Sequence, residues 1–157
     1  MKISKIALFA ILLWVATIAA FAWFFVRGNT AKGSDNRTAV VLQAGERDLV
    51  LSEMRGLLAA THGILEGVNR GDMKHVAQAA RAAGMASAAD VNPALMAKLP
   101  LPFKHLGMSV HRGMDDIAAA ADGGKPAPEI LGMLTKNLSS CIACHAAWQI
   151  KAGNAPG

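Results

Sequence analysis

"LSSCIACHAAW", residues 138–148, holds both cysteines of a chain of 157 residues. Cys141 and Cys144 stand three apart, and His145 follows the second directly. On a helix, at about 100° per residue, the three side chains fall within about 100° of arc, on the face shared by Leu134 and Leu138. Two thiols and an imidazole in this order are the C-x-x-C-H attachment motif for c-type haem: both sulfurs bond the porphyrin edge, and the imidazole reaches iron from one side. Both cysteines are consumed by that chemistry, which leaves no disulfide. Other uses of the pair fit less well. Zinc needs about four ligands, and no second Cys pair completes a set. A thioredoxin-like dithiol calls for a βαβ context. Two plain buried cysteines would not need the histidine or its register.

Outward from the motif, the pattern is helical. Gly and Ala are plentiful, Tyr is absent, and strictly alternating β-branched runs are missing, so the expected class is all-α, without a sheet. Helix A is expected from Val40 to Asn69. Val50, Leu57, Leu58, Thr61 and Leu65 lie within about 60° of Met54, which puts Met54 on the axis of the inward stripe. Gly71 ends this helix and Asp72 caps the next. Helix B, Asp72 to Ala88, turns Met73, Val76, Ala80 and Ala83 inward. Helix C begins near Pro102 with a stripe of Phe103, Leu106, Val110, Met114, Ile117 and Ala121. Pro128 opens helix D, which runs to Lys151. Short connections make an antiparallel, up-down four-helix bundle the economical architecture. Its Ala- and Gly-lined core leaves room for a further occupant.

The other end of the chain sets the compartment. Ile6 to Val26 is apolar, uncharged and free of proline, about the ~20 residues that a helix needs to cross a bilayer. Lys2 and Lys5 precede it, which favours a cytoplasmic N-terminus; Arg27, Lys32 and Arg37 partly blunt that bias. "AFA", Ala20 to Ala22, also satisfies the rule for signal-peptide cleavage. The run continues past it through Trp23, Phe24 and Phe25, which favours an anchor. The expected organisation is an anchor (or uncleaved signal) over residues 1–27, a flexible polar linker over 28–39 and one domain over 40–157. On this reading the chain sits in a bacterial inner membrane as a single-pass protein, with its domain in the periplasm. The formal charge is +5. Beyond Lys2 and Lys5 the remaining 14 bases face all 11 acids, a balance of only +3. With no basic stripe or interleaved aromatics, nucleic acid is not an expected partner.

A haem motif on the last helix of such a bundle resembles the class II c-type cytochromes, the cytochrome c-prime group. The resemblance covers roughly Val40 to Lys151. It is specific in "SSCIACHAAW" and pattern-level in "LVLSEMRGLLAATHGILEGV" and "FKHLGMSVHRGMDDIAAA". It implies one covalently attached haem c, with His145 as the proximal iron ligand. A low-spin subgroup of that family closes the distal side with a methionine from helix A, and the resemblance gives that role to Met54. Standing alone, Met54 is equally a core filler. Phe103, Leu57, Leu58, Thr61 and Leu138 are expected as haem-pocket wall, and Trp148 as cover for the proximal face. Lys136 and Lys151 could meet a haem propionate or an acidic partner, though a plain solvated face suits them better. Met108 and Met85 project outward on their wheels, and His62, His75, His105 and His111 read as surface or flank.

A His/Met iron site implies a one-electron carrier rather than an enzyme, since no acid–base pair or nucleophile converges on a substrate site. Its expected partners are redox proteins and, through the N-terminal helix, the membrane. The resembled family also forms homodimers through its first two helices, which makes a second copy of the chain a candidate partner. If Met54 leaves the iron free, the pocket instead suits capture or sensing of nitric oxide or carbon monoxide, as in five-coordinate relatives.

Overall fold

The computed structural model describes residues 4–89 and 91–153; Lys2 and residues 154–157 lie outside them. Six helices dominate: α1 (Lys5–Arg27), α2 (Ala44–Arg70), α3 (Met73–Arg81), α4 (Pro93–Lys98), α5 (Leu101–Asp122) and α6 (Ala127–Ala147). A 3-10 turn, Met85–Ala88, follows α3. Three short strands join them: β1 (Thr30–Lys32), β2 (Thr38–Leu42) and β3 (Trp148–Ala152).

The local punctuation follows the residue chemistry. Gly71 takes the left-handed conformation at φ 70° and ends α2, and the Asp72 carboxylate accepts from the His75 amide to start α3. Asn92 caps α4, and Pro102 and Pro128 sit in the first turns of α5 and α6, where a missing N–H costs nothing.

The main core is shared by α2, α3, α5 and α6. Ala60 and Ile64 of α2 meet Val76, Ala77 and Ala80 of α3, then Met114, Ile117 and Ala121 of α5, then Ile130 and Leu134 of α6. The buried stripe of α2 is rotated from the expected one. Leu58 is 71% exposed and Leu65 47%, while Ala60, Ile64 and Gly67 face inward. The reason is close packing on α3: a Cβ at Gly63 would lie 2.8 Å from Ala79 Cβ, and one at Gly67 would lie 2.7 Å from Val76 Cγ2. Small side chains draw the helices together there, and the larger leucines are left outside.

The expectation of a sheet-free chain is overturned. β2 pairs antiparallel with β1 and parallel with β3, in the order β1-β2-β3. Its sequence, "TAVVL", is β-branched and buries Ala39, Val40 and Leu42. Val40 is thus a strand residue, and the first helix of the domain begins at Ala44. The last helix likewise stops at Ala147, and Trp148 to Ala152 run alongside β2. Parallel pairing is possible because the whole helical body forms the crossover between the two strands.

The stretch 28–39, expected as a flexible linker, is tied down. Arg37 pairs with Asp35 at 2.6 Å and donates to the carbonyls of His145 (3.3 Å) and Trp148 (3.5 Å) at the end of α6. Gln149 Nε2 donates to Asp35 at 2.8 Å. At the other end of the stretch, Gly28 adopts φ 63°, and a Cβ there would come within 2.5 Å of the Lys98 carbonyl. Asn29 N donates to that same oxygen at 2.7 Å.

Helix α1 has 23 residues, roughly 35 Å at about 1.5 Å per residue, against a hydrocarbon core of ~30 Å. It is long and apolar enough to span a membrane, and none of its residues is buried by the rest of the protein.

Glu46 locks the start of α2 to α4. It accepts from Gln43 N at 2.9 Å and from Lys98 Nζ at 2.5 Å. The Lys98 contact first, and the Gln43 amide second, hold its carboxyl below the usual glutamate range. The stability it contributes is therefore complete above the ordinary carboxylate pKa and is lost as pH falls through the depressed native value. Urea unfolding between about pH 6 and pH 3 will show a steeper acid-side loss in the parent than in Glu46→Gln; parallel curves would contradict this.

Candidate functional site

Two neighbouring cavities lie between α2 and α5. The smaller, about 90 Å³, is where the end of α6 meets α2: Cys141, Cys144 and His145 line it together with Met54, Leu57 and Phe103. The larger, about 530 Å³, extends toward α4 and the 3-10 turn. Val50, Glu53, Leu57, Phe103, Gly107 and His111 line both, so the two share a wall. The larger volume alone falls within the ~300–1,000 Å³ of small-molecule and cofactor sites.

Each helix is aimed at this place by identifiable contacts. Asn137, buried on α6, donates Nδ2 to the Val110 carbonyl of α5 at 3.2 Å, and Ser109 Oγ donates to Ser140 Oγ at 3.3 Å. One turn beyond, Cys141 and Cys144 emerge at the cavity. Arg37 then holds the carbonyls that end the helix. Met54 and Cys144 pack against a second apolar cluster formed by Val40, Leu42, Val50, Leu95, Leu99 and Phe103. Trp148, expected over the proximal face as the next turn of a helix, lies instead on β3. Its ring meets Phe103 edge-on at 6.1 Å.

The expected site residues therefore divide. Cys141, Cys144, His145, Met54, Leu57 and Phe103 come together at one cavity. Leu58, Thr61 and Leu138 line neither. Leu58 faces outward, Thr61 Oγ1 is spent on the Leu57 carbonyl one turn back at 2.9 Å, and Leu138 packs on the main core. Lys136 is exposed on α6 and Lys151 belongs to β3.

Three residues of the α5 cavity wall, His111, Lys104 and Met108, escaped the sequence reading. His111 was expected at the surface, yet it is 5% exposed and its Nδ1 lies 2.9 Å from the Ala83 carbonyl, the geometry of a donated N–H. Its Nε2 stands 3.9 Å from Glu53 Oε1. Lys104 is 7% exposed and lines the larger cavity, as does Met108, which was expected to point outward. All are off the main stripe of α5. They are covered by the end of α3, the 3-10 turn and α1, elements whose placement no helical wheel reports.

The donor set and the shape suit a flat, apolar group with two attachment points. Gly56 of α2 and Gly107 of α5 border the larger cavity, and an added Cβ at either would meet nothing within 4 Å. Glycine inside a helix costs about 1 kcal/mol relative to alanine, and here it thins the wall on both sides. Both thiols are free. Among the described residues, no three His, Cys, Asp or Glu side chains converge as they would around a bare metal ion. A porphyrin brings four nitrogens of its own and asks only for axial donors.

Burial pushes both thiols above their ordinary pKa, and Cys141 adds a like-charge contribution at Cys144. They are held as thiols rather than thiolates, so they are sluggish toward alkylation. In the folded protein with both thiols free, iodoacetamide will react more slowly than with the urea-unfolded chain, and its rate will keep rising past the pH, ~8.5, where free cysteine ionises. A faster reaction in the folded chain would refute this.

No family model, curated protein or solved structure matches the chain.

Proposed function

We propose that the chain is a membrane-anchored monohaem c-type cytochrome that carries single electrons in the periplasm. In this reading the four helices sharing the main core, α2, α3, α5 and α6, form the antiparallel bundle of the class II c-type cytochromes that the sequence resembles. One observation carries the proposal: Cys141, Cys144 and His145 line the same cavity as Met54, with a 530 Å³ apolar volume sharing its wall.

Cys141 and Cys144 would each add their S–H across a vinyl group, the sulfur bonding one carbon and the hydrogen the other. His145 would provide the imidazole nitrogen on one side and Met54 the thioether on the other. A haem c held there supplies a one-electron iron couple whose potential a methionine ligand raises. Val50, Leu95 and Phe103 line the site with apolar surface, which disfavours added positive charge and acts in the same direction. His145 and Met54 would hold the group from two packed helices, so these side chains would need to move little between redox states.

The attachment to the membrane modifies the expected picture of a swinging carrier. Gly28 and Asn29 are held against Lys98, and Asp35 and Arg37 against the end of α6. This supports a carrier presented to membrane partners at a set height and angle, not one that roams on a slack tether.

Carbon monoxide tests the ligand set. The reduced parent will keep a low-spin spectrum under carbon monoxide, whereas Met54→Ala will become high-spin and form an adduct readily. Adduct formation by the parent would favour the gas-binding reading. Identical spectra for parent and variant would remove Met54 from the iron.

A further inference from the structure

Lys104 carries an unusual burden for a lysine. It is 7% exposed, it lines the larger cavity, and its Nζ donates to two backbone carbonyls, Phe25 at 3.2 Å and Met96 at 3.3 Å. The same nitrogen sits 3.6 Å from the centre of the Phe25 ring. An ammonium has three N–H donors, and these carbonyls take two of them. No carboxylate among the described residues pairs with it. The acid of the cavity wall, Glu53, faces His111 instead, with its Oε1 3.9 Å from the imidazole Nε2. Burial alone acts on the Lys104 pKa, in the downward direction.

The Phe25 carbonyl belongs to the last turn of α1, where a cation gains the modest favour of the helix dipole. That is small beside the cost of burying a charge without a counter-ion. A side chain built only to cap α1 could do so as a neutral amide. A buried lysine on the cavity wall with no carboxylate paired to it is explained by an anionic group on the cavity's occupant.

We propose that Lys104 is the anion partner of the cavity, binding a propionate carboxylate of the haem and so turning the cofactor's carboxylate edge toward the end of the membrane helix. This rests on the function proposed above. It makes Lys104 a positioning residue with two faces: carbonyls of α1 and α4 on one, a carboxylate on the other. It also places the polar edge of the cofactor one side chain from the membrane interface, where an electron-donating or electron-accepting membrane protein could reach it.

The test uses the full-length, haem-loaded protein in detergent, with two variants. Lys104→Gln keeps an N–H donor for the Phe25 carbonyl but loses the charge; Lys104→Met keeps the apolar stem and loses both. Expected for both is a lower midpoint potential by spectroelectrochemistry, because a positive charge near the iron disfavours the ferric state. The carboxylate bands of the porphyrin side chains should also move in reduced-minus-oxidised infrared difference spectra. A haem-loaded Lys104→Gln with parental potential and parental carboxylate bands overturns the inference and leaves Lys104 as a cap of α1. If Lys104→Gln fails to accumulate, the same two readings on Lys104→Met decide. A parent protein without covalent haem would instead overturn the functional reading, and this inference with it.

Discussion

Arg37 donates to the carbonyls of His145 and Trp148, and β3 begins to pair with β2 at that same tryptophan. Together these end α6 three residues past Cys144 and hold its final turn in place. Without that brace, the helix end carrying both cysteines and the histidine would fray, as helix ends do when their carbonyls lack partners. The candidate site therefore depends on residues more than a hundred positions away in the chain. A small sheet, begun by the segment that follows α1, holds the motif against α2 and α5.

The helical body shows the complementary economy. Where α2 meets α3, Gly63, Gly67 and Ala60 bring backbones close and leave little room. Toward its N-terminal half the same helix faces α5 across the two cavities, with Gly56 and Gly107 in the walls. One helix thus packs tightly at one end and stands apart at the other. The apolar lining, the buried His111 and Lys104, and the thiols of Cys141 and Cys144 all converge on that opening.

Much of this was legible in advance, and the failures have physical causes. The helical register of Cys141, Cys144 and His145, the apolar N-terminal helix, and the Gly71 and Asp72 punctuation depend on local chemistry, and the structure carries each of them in the expected place. The helix boundaries near Val40 and Lys151 failed because β2 and β3 are stabilised only by pairing with each other, across the length of the domain. Leu58 and Leu65 were assigned inward because large apolar residues dominate a helical wheel, whereas close packing on α3 favoured the small ones. Leu138 was assigned to the pocket for sharing the motif's face, but one turn earlier that face meets the main core. His111 and Lys104 lie at the edge of the α5 stripe, so their burial depends on neighbours that sequence periodicity does not describe.

The central claim is that both sulfurs are bonded to one porphyrin. Mass spectrometry of the peptide spanning Ser140 to Lys151, from protein made in a host competent for cytochrome c maturation, tests it most directly. The account predicts a single species heavier by one iron porphyrin, with neither Cys141 nor Cys144 available to alkylation after denaturation. An unmodified peptide with two alkylatable cysteines, from protein exported by that host, would contradict it.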